Sequence, residues 1–399
     1  MSAAFGSAAL SVVSNSPRPA ARDRPYWLTW PNVSGVGPHR LKQMYLHFGS
    51  LAAAWQASRD ELLAVDGIGL KVADAIVSQR VRFDPDAIAE QAAELATSHE
   101  ADILAYTPAD EAYPALLWEI PEPPPVLYAR GQRLDFETPA IAVVGTRTPT
   151  DYGRRWAKLL ARALAEAGFA IVSGMALGID GVAHAAALDA RGRTLAVVGT
   201  GVDVVYPRQH RELCDRIQAR GAILSEYAPG TPPAREHFPR RNRIIAGLCC
   251  ATLVIEAPEK SGALITAYLA NDYNRDVFAL PGSLDTPQAR GCLNLIQRGA
   301  GLIMGVDELL EALGATRSPQ QQSLFDVVTP VTPQPSLEGP EQEAIWLALA
   351  DGNPITFDRL AETTQLDTAQ LSSALLMMEL GDTIVQLPGM RYQKSAPFR

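Results

Sequence analysis

The 399-residue sequence is poor in the residues that bind zinc or form disulfide bonds. It has six histidines and four cysteines, and no two cysteines show the C-x-x-C spacing; they are Cys214, Cys249, Cys250 and Cys292. Zinc sites and disulfide frameworks need regularly spaced ligands, so neither is indicated. We expect a protein of the reducing cytoplasm that binds no metal.

The sequence also lacks the segments that direct a chain into or across a membrane. No apolar run approaches the ~18 residues that span a bilayer. Residues 1–24 are rich in Ala and Ser, but they lack a basic start followed by an apolar stretch of about 7 to 15 residues. We expect a soluble protein with no membrane partner, in which residues 1–24 form a disordered tail.

Motifs for common cofactors and nucleophiles are absent too. The sequence contains no G-x-x-x-x-G-K-[ST] and no G-x-S-x-G, and its first apolar strand is not followed by G-x-G-x-x-G. These absences argue against a P-loop ATPase, a serine hydrolase and a dinucleotide enzyme. His184, Asp180, Glu226 and Glu256 fit packing or orienting roles better than catalytic ones. The sequence therefore predicts binding without a cofactor, not an enzyme.

The net charge of −9 is unevenly distributed along the chain. Residues 139–313 contain 19 basic and 17 acidic residues, and the remainder contains 16 basic and 27 acidic ones. The acidity therefore lies in the flanking segments, and the charge of the middle segment does not oppose a nucleic-acid partner.

Shifts in composition divide the chain into three parts. A proline-rich stretch near residue 121 and a Pro/Gln-rich linker at residues 316–340 mark the boundaries. The first part, residues 25–120, repeats a helix, a Gly-apolar-Gly turn and a helix, at Val33–Gly37 and again at Val65–Gly69. This pattern predicts a tandem helix-hairpin-helix (SAM-like) domain. Its turns either hold a phosphate or serve only for packing.

The middle part, residues 126–315, alternates short apolar strands with helical stretches. We predict strands at 140–144, 169–172, 194–198, 222–225, 251–255, 276–280 and 301–303. Continuous apolar strands are typical of a parallel sheet covered on both faces. The fold class is therefore α/β, with a Rossmann-like, doubly wound, mostly parallel sheet whose ligands gather at the carboxyl ends of its strands.

The last part, residues 341–399, has three helical stretches followed by a short hairpin, which predicts a winged-helix domain. Its third helix, at 367–380, would be the one to enter a DNA groove, yet it contains no Lys or Arg. We expect this helix to contact a protein or only to pack.

Several loops after the predicted strands have residues suited to phosphate. Glycines let the backbone approach, helix starts offer free N–H groups, and arginines form paired hydrogen bonds to phosphate oxygens. Some of the arginines can instead pair with Glu226, Glu236 or Glu256. These loops predict a polyanion or nucleotide site on one edge of the sheet, formed by Gly145, Thr146, Arg147, Ser173, Gly174, Arg240, Arg241, Asn242, Arg243, Lys260, Ser261 and Gly262.

A dozen short motifs over residues 139–310 resemble, in order, the DNA-processing protein A (DprA or Smf) family. Among them are Ile141-Ala-Val-Val-Gly-Thr-Arg147, Ile171-Val-Ser-Gly174, Phe238-Pro-Arg-Arg-Asn-Arg243 and Pro281-Gly282. The flanking helical and winged-helix segments fit the three-domain members of that family.

The resemblance implies a protein of natural transformation that binds single-stranded DNA. Such a protein protects incoming DNA and loads the RecA recombinase, displacing single-strand-binding protein, and it works as a homodimer without a cofactor. By motif, the resemblance implies phosphate contacts at Thr146, Arg147, Ser173, Gly174, Arg241, Asn242, Arg243, Lys260, Ser261 and Gly262. Tyr152, Tyr206 and Phe238 are candidates for base stacking.

Two other functions stay open at this stage. One is a nucleotide phosphoribohydrolase-like enzyme on a similar fold, although Ser283-Leu284 after Pro281-Gly282 breaks its P-G-G-x-G-T pattern. The other is an adaptor that acts chiefly through the winged helix.

Overall fold

The computed structural model describes residues 18–97, 103–133, 137–315, 339–349, 355–380, 383–387 and 390–394. Contacts divide the chain into two compact units, the first ending at Thr316 and the second beginning at Arg317. Of the predicted tail, residues 1–17 lie outside the described ranges, while Ala21–Asp23 form a 3-10 helix. The predicted linker lies outside them up to residue 338. None of the helices in these ranges has the length and apolar character needed to cross a bilayer.

The first unit begins with a helical segment that contains both predicted hairpins. Gly37 and Gly69 immediately precede the second and fifth helices. The Arg40 guanidinium donates hydrogen bonds to the carbonyls of Gly35 (2.6 Å) and Gly67 (2.8 Å), so one side chain ties the two turns together. The helices are α1 Arg24–Thr29, α2 Pro38–Phe48, α3 Leu51–Gln56, α4 Arg59–Leu63, α5 Leu70–Arg80 and α6 Pro85–Thr97.

A nine-stranded sheet forms the centre of the first unit, in the order β1-β2-β6-β5-β4-β3-β7-β8-β9. The pairs from β6 to β9 in this order are parallel, and β1 and β2 pair antiparallel at one edge. The strands are β1 Ile103–Tyr106, β2 Leu127–Gly131, β3 Ala140–Val144, β4 Ala170–Ser173, β5 Thr194–Val197, β6 Ala222–Ser225, β7 Ala251–Val254, β8 Asp276–Ala279 and β9 Gly301–Leu302.

This architecture confirms the predicted fold class. Strands β3 to β7 are buried along their whole length, as their continuous apolar sequences require. The sequence analysis did not predict β1 and β2. In β2, buried Leu127 and Ala129 alternate with half-buried Tyr128 and Arg130, which is the pattern of a partly solvated antiparallel strand.

Helices cover both faces of the sheet. They are α7 Ala115–Glu119, α8 Asp151–Glu166, α9 Ile179–Asp189, α10 Arg211–Arg220, α11 His237–Leu248, α12 Gly262–Asp272, α13 Arg290–Gln297 and α14 Val306–Ala312, with 3-10 turns at Trp30–Asn32, Arg208–His210 and Pro287–Ala289. The winding of the sheet changes direction at β3, because β4, β5 and β6 lie on one side of it and β7, β8 and β9 on the other. In doubly wound sheets, ligands bind at the carboxyl ends of the strands beside such a point.

The helical segment and the sheet share one hydrophobic core. A single cluster of buried side chains runs from Trp27 and Leu41 of the helices to Val172 and Leu224 of the sheet. Buried Lys42 adds hydrogen bonds between the helical segment and the region beside the sheet. Its ammonium donates to the carbonyls of residues 118, 119 and 120, at 2.9, 3.2 and 2.8 Å. The helical segment is therefore anchored to the end of α7.

The second unit has the predicted winged-helix form. Its helices are α15 Pro340–Ala348, α16 Phe357–Thr364 and α17 Thr368–Leu380, and its three-stranded sheet consists of β10 Ile355–Thr356, β11 Ile384–Leu387 and β12 Arg391–Lys394. Ile345, Leu360, Leu371 and Ile384 pack in a core of their own.

Candidate nucleic-acid interface

A cavity of about 610 Å³ opens at the carboxyl ends of β3 and β7, where the winding of the sheet changes direction. We call it the central cavity. Eight of the predicted phosphate-binding residues line it, together with two of the three predicted aromatic residues. These are Gly145, Thr146, Arg147, Arg241, Asn242, Lys260, Ser261 and Gly262, with Tyr206 and Phe238.

The glycines of the first loop allow close packing. A Cβ atom at Gly145 would lie 2.6 Å from Cγ1 of Ile179, and one at Gly178, whose φ is +84°, would collide with the carbonyl oxygen of Thr146. The N–H of Thr146 donates to the carbonyl of Glu256 at 2.7 Å. This loop is therefore held against α9 and the end of β7, and the Thr146 N–H is not free for a ligand. Exposed Arg147 is the charged group that the loop presents.

Arg241 lies in the floor of the central cavity with only 5% of its surface exposed. Its Nη1 donates to the carbonyls of Gly174, at 2.8 Å, and Val197, but its buried Nε has no hydrogen-bond partner. Burial lowers the pKa of Arg241 to about 10, and Asp180 acts in the opposite direction. The guanidinium still carries its charge at neutral pH, and within the described residues it has no direct ion pair.

Asp180 is the acidic group nearest to this floor. It is 7% exposed and accepts hydrogen bonds from the N–H groups of Gly174 (3.1 Å) and Ala176 (3.3 Å). Burial raises the pKa of Asp180, while Arg241 and these two hydrogen bonds lower it. The carboxylate thus shapes the loop after β4 and leaves part of the Arg241 charge available to an anion.

Arg243, which the sequence also assigns to phosphate binding, does not line the central cavity. Its guanidinium makes two 2.7 Å hydrogen bonds to the carboxylate of Glu226, and both side chains are largely buried, at 8% and 13% exposure. Burial opposes the charge of Arg243, but the pairing with Glu226 outweighs it and raises the pKa. Both ends of the guanidinium are therefore engaged by protein oxygen atoms.

Three further predicted residues also lie outside the central cavity. Arg240 is exposed on the other side of α11. The fully buried Ser173 hydroxyl donates to the carbonyl of Val143 at 2.6 Å, and a Cβ at Gly174 would lie 2.6 Å from the Arg241 guanidinium. Ser173 therefore ties β4 to β3, and Gly174 accepts a hydrogen bond from Arg241 and leaves room for its guanidinium.

The far rim of the cavity is the start of α12. Ser261 caps this helix by accepting a hydrogen bond from the N–H of Ala263 at 3.3 Å. Asn242 donates from Nδ2 to the carbonyl of Gly262 at 3.1 Å, which fixes the rim to α11. Lys260 is exposed beside it.

Two aromatic rings form one wall. The rings of Tyr206 and Phe238 lie 5.5 Å apart with an angle of 37° between their planes, and Tyr206 is 41% exposed. Tyr152 lies elsewhere, in a separate cavity of about 420 Å³, and its hydroxyl donates to the carbonyl of Pro281 at 2.9 Å. Of the three aromatic residues predicted for base stacking, Tyr206 and Phe238 therefore line the central cavity and Tyr152 does not.

The sequence analysis missed one charged residue of the site. Exposed Arg235 lines the central cavity, two residues before the start of α11. Arg235 could have been predicted from its position just before α11, because a side chain there lies at the same edge of the sheet as the start of that helix.

Two of the residues weighed for catalysis, Glu256 and His184, have partners within the fold. Glu256 is 3% exposed and accepts hydrogen bonds from the N–H (2.9 Å) and the hydroxyl (2.5 Å) of Thr150, which caps α8. Fully buried His184 lies 2.6 Å from the hydroxyl of Thr194, and burial lowers its pKa to about 3.

Family models match all three parts of the chain. The model described as DNA recombination-mediator protein A matches residues 105–314. A SAM-like helix-hairpin-helix tandem matches residues 32–80, and a DprA winged helix domain matches residues 329–390. The chain belongs to the DprA/Smf family. The resemblance predicted from the motifs is thereby confirmed.

Individual relatives agree with this assignment. Protein Smf of Synechocystis sp. is 44% identical over 403 residues, covering 94% of this chain and all of that protein. The DNA processing protein DprA of Bacillus subtilis is 43% identical over 220 residues, 55% of this chain and 74% of that protein. The crystal structure of DprA from Streptococcus pneumoniae aligns with a TM-score of 0.62 and 34% identity, over 72% of this chain and 97% of that one.

Proposed function

We propose that the chain binds single-stranded DNA in the central cavity and acts as a recombination mediator. The observation that carries the proposal is Arg241, a buried guanidinium in the cavity floor with an unpartnered Nε and no direct ion pair among the described residues. Burying a charge is costly unless it is paired, so an anion in the cavity would stabilise this arrangement. The phosphate of a nucleic acid supplies such an anion.

The rim of the cavity supports a polyanion over a single phosphate. Arg147, Arg235 and Lys260 are exposed around it, and none forms an ion pair within the described residues. Several separated cations match the repeated charges of a DNA backbone, and each phosphate they neutralise releases counterions.

The aromatic wall supports a single strand over a duplex. Base stacking on a side chain contributes ~1 to 3 kcal/mol per base and needs bases that are not already stacked in a helix. Exposed Tyr206, backed by Phe238, offers such a surface next to the phosphate-binding floor. The geometry of the cavity therefore favours DNA with accessible bases.

In the cell, we propose that this binding protects incoming single strands from nucleases and loads the RecA recombinase onto them, displacing single-strand-binding protein. The membership of the chain in the DprA/Smf family supports this role. We further propose that the protein works as a homodimer in the cytoplasm, during natural transformation.

The experiment that tests the proposal is a salt titration with fluorescent oligonucleotides. Single strands are expected to bind more tightly than duplexes of the same length, with log K falling by about 0.7 per decade of salt for each phosphate contacted. Loading of RecA onto strands coated with single-strand-binding protein is the second readout. Equal affinity for single strands and duplexes would contradict the proposal.

A phosphoribohydrolase-like activity has weaker support. The 420 Å³ cavity next to the central one does contain a carboxylate, Glu256, but both of its oxygens accept hydrogen bonds from Thr150 at the start of α8. That carboxylate holds a loop in place. Release of free base from nucleoside monophosphates by the purified protein would overturn the non-enzymatic assignment.

A further inference from the structure

A second charged cavity lies beside the central one, between α10 and strand β2. It has a volume of about 460 Å³, and we call it the arginine groove. Its lining is mostly polar and contains three arginines, two aspartates and a glutamine: Arg130, Arg208, Arg211, Asp203, Asp215 and Gln218, with Val205.

The three arginines of the groove have no ion-pair partners among the described residues, although two aspartates line the same cavity. The carboxylate of Asp203 is turned to the backbone, where both oxygens accept from the N–H of Gly230, at 2.8 and 2.9 Å. By contrast Arg216, on another face of α10, pairs with Asp189 at 2.7 Å. The groove therefore presents unpaired guanidinium groups, which suit the oxygens of a phosphate.

The charges of two of these arginines converge on one buried group. Burial raises the pKa of the Cys214 thiol, with Asp215 acting in the same direction, while Arg130 and Arg211 both act to lower it. Cys214 belongs to the turn of α10 that faces the sheet, between Arg211 and Gln218. Arg130 of β2 and Arg211 of α10 both line the groove.

The turn at residues 205–208 borders both the central cavity and the groove. Tyr206 lines the central cavity, while its neighbours Val205 and Arg208 line the groove. The turn between them is anchored, because Nδ1 of His210 lies 3.0 Å from the carbonyl oxygen of Met175, next to the cavity floor. A strand that stacks a base on Tyr206 is thus carried toward Arg208 and Arg211.

We propose that the arginine groove is a second phosphate subsite, which holds the backbone of a single DNA strand after it passes Tyr206. This inference rests on the proposed function, since it extends the path of the same strand. It assigns Arg208 and Arg211 to backbone contacts that carry no base preference, with Arg130 at the inner end of the groove.

The test compares short and long single strands. Thymidine oligonucleotides of about 2 nucleotides cover the central cavity alone, whereas those of about 20 nucleotides also reach the groove. The double variant Arg208→Ala/Arg211→Ala, at two exposed positions, is expected to bind the long strand about 10-fold more weakly, with the salt slope reduced by about 1.4, and the short strand as well as wild type. Arg216→Ala removes one positive charge from α10 outside the groove and is the control for a general loss of positive charge.

A gain-of-affinity variant keeps the test independent of any loss of folding. Asp215→Asn removes a negative charge from the groove and is expected to tighten binding of the long strand about 3-fold, without changing the short one. Equal binding of the long strand by the double variant and Arg216→Ala would overturn the subsite, as would an equal loss for both lengths. If wild type binds neither strand, the proposed function itself fails.

Discussion

The carboxyl edge of the central sheet and the third helix of the winged-helix unit present different side chains. The edge has a buried, unpaired guanidinium in a cavity rimmed by Arg147, Arg235 and Lys260. Helix α17 has no Lys or Arg and exposes Leu376 and Met377, at 58% and 52%. Winged helices commonly place such a helix in a DNA groove, but a helix without Lys or Arg has no positive charge to neutralise phosphates there. The side chains, more than the fold, therefore favour the central cavity over α17 as the proposed DNA site.

The largest effect is expected at Arg243, which pairs with Glu226 and does not line the central cavity. Arg243→Ala leaves Glu226 buried without its partner, so the free energy of unfolding is expected to fall by about 3 to 5 kcal/mol. Chemical denaturation followed by circular dichroism measures this loss. Unchanged stability together with weakened DNA binding would return Arg243 to the interface.

Arg241→Met is expected to weaken single-strand binding roughly 30- to 150-fold, because it removes a charged hydrogen-bonding group from the cavity floor, a loss of about 2 to 3 kcal/mol. Fluorescence anisotropy with a thymidine oligonucleotide measures the affinity. Arg241→Lys keeps the charge but lacks the planar guanidinium, so its single-strand affinity is expected to lie between those of wild type and Arg241→Met. A folded Arg241→Met protein with wild-type affinity would mean that Arg241 does not contribute to DNA binding.

The pH dependence of the free energy of unfolding tests whether buried His184 is shielded from water. Because burial lowers the pKa of His184 to about 3, below its value in the unfolded chain, the unfolded state binds more protons as the pH falls below 6.5. Above pH 6.5 the imidazole is neutral in both states and the free energy of unfolding does not depend on it. As the pH falls from 6.5 toward 3, the free energy of unfolding decreases by up to about 1.4 kcal/mol per pH unit.

The variant His184→Asn lacks this titrating group. Denaturation between about pH 4 and pH 6 is expected to show a shallower slope for the variant than for wild type. Identical slopes would mean that His184 is hydrated and that the floor is open to water.

Arg147→Ala removes one exposed cation of the rim. It is expected to weaken binding of all single-strand sequences alike, by about 1 kcal/mol, and to flatten the salt slope by about 0.7. Arg162→Ala serves as the control, because that arginine is exposed on α8 and pairs with Glu166 at 2.7 Å. A slope equal to that of the control would remove Arg147 from the backbone path.

The smallest effect is expected from the winged-helix unit. A chain ending at Thr316 keeps the whole first unit, and its single-strand affinity and salt slope should match those of the full chain. A large loss of affinity would place the DNA site in the second unit and reverse the comparison.

Much of the fold was predictable because it depends on local pattern. The continuous apolar strands gave the parallel sheet, and the Gly-apolar-Gly repeats gave the hairpins. The antiparallel strands β1 and β2 were missed because they are short and only partly buried, and because the pairing of β2 with β6 joins residues far apart along the chain.

The site was predictable in its loops but not in the role of each side chain. Arg240, Arg241 and Arg243 are close in sequence, yet one is exposed, one forms the cavity floor and one pairs with Glu226. The helical turn of α11 and the position of Glu226 after β6 determine where each of these arginines lies. Neither can be predicted from a run of basic residues.

The central claim is that the strand lies over Arg241, and a crystal structure of the chain with a thymidine oligonucleotide tests it most directly. We predict a phosphate oxygen within about 3 Å of the Arg241 guanidinium, with a base against Tyr206. A strand bound along α17, with the central cavity free of DNA, would contradict the account.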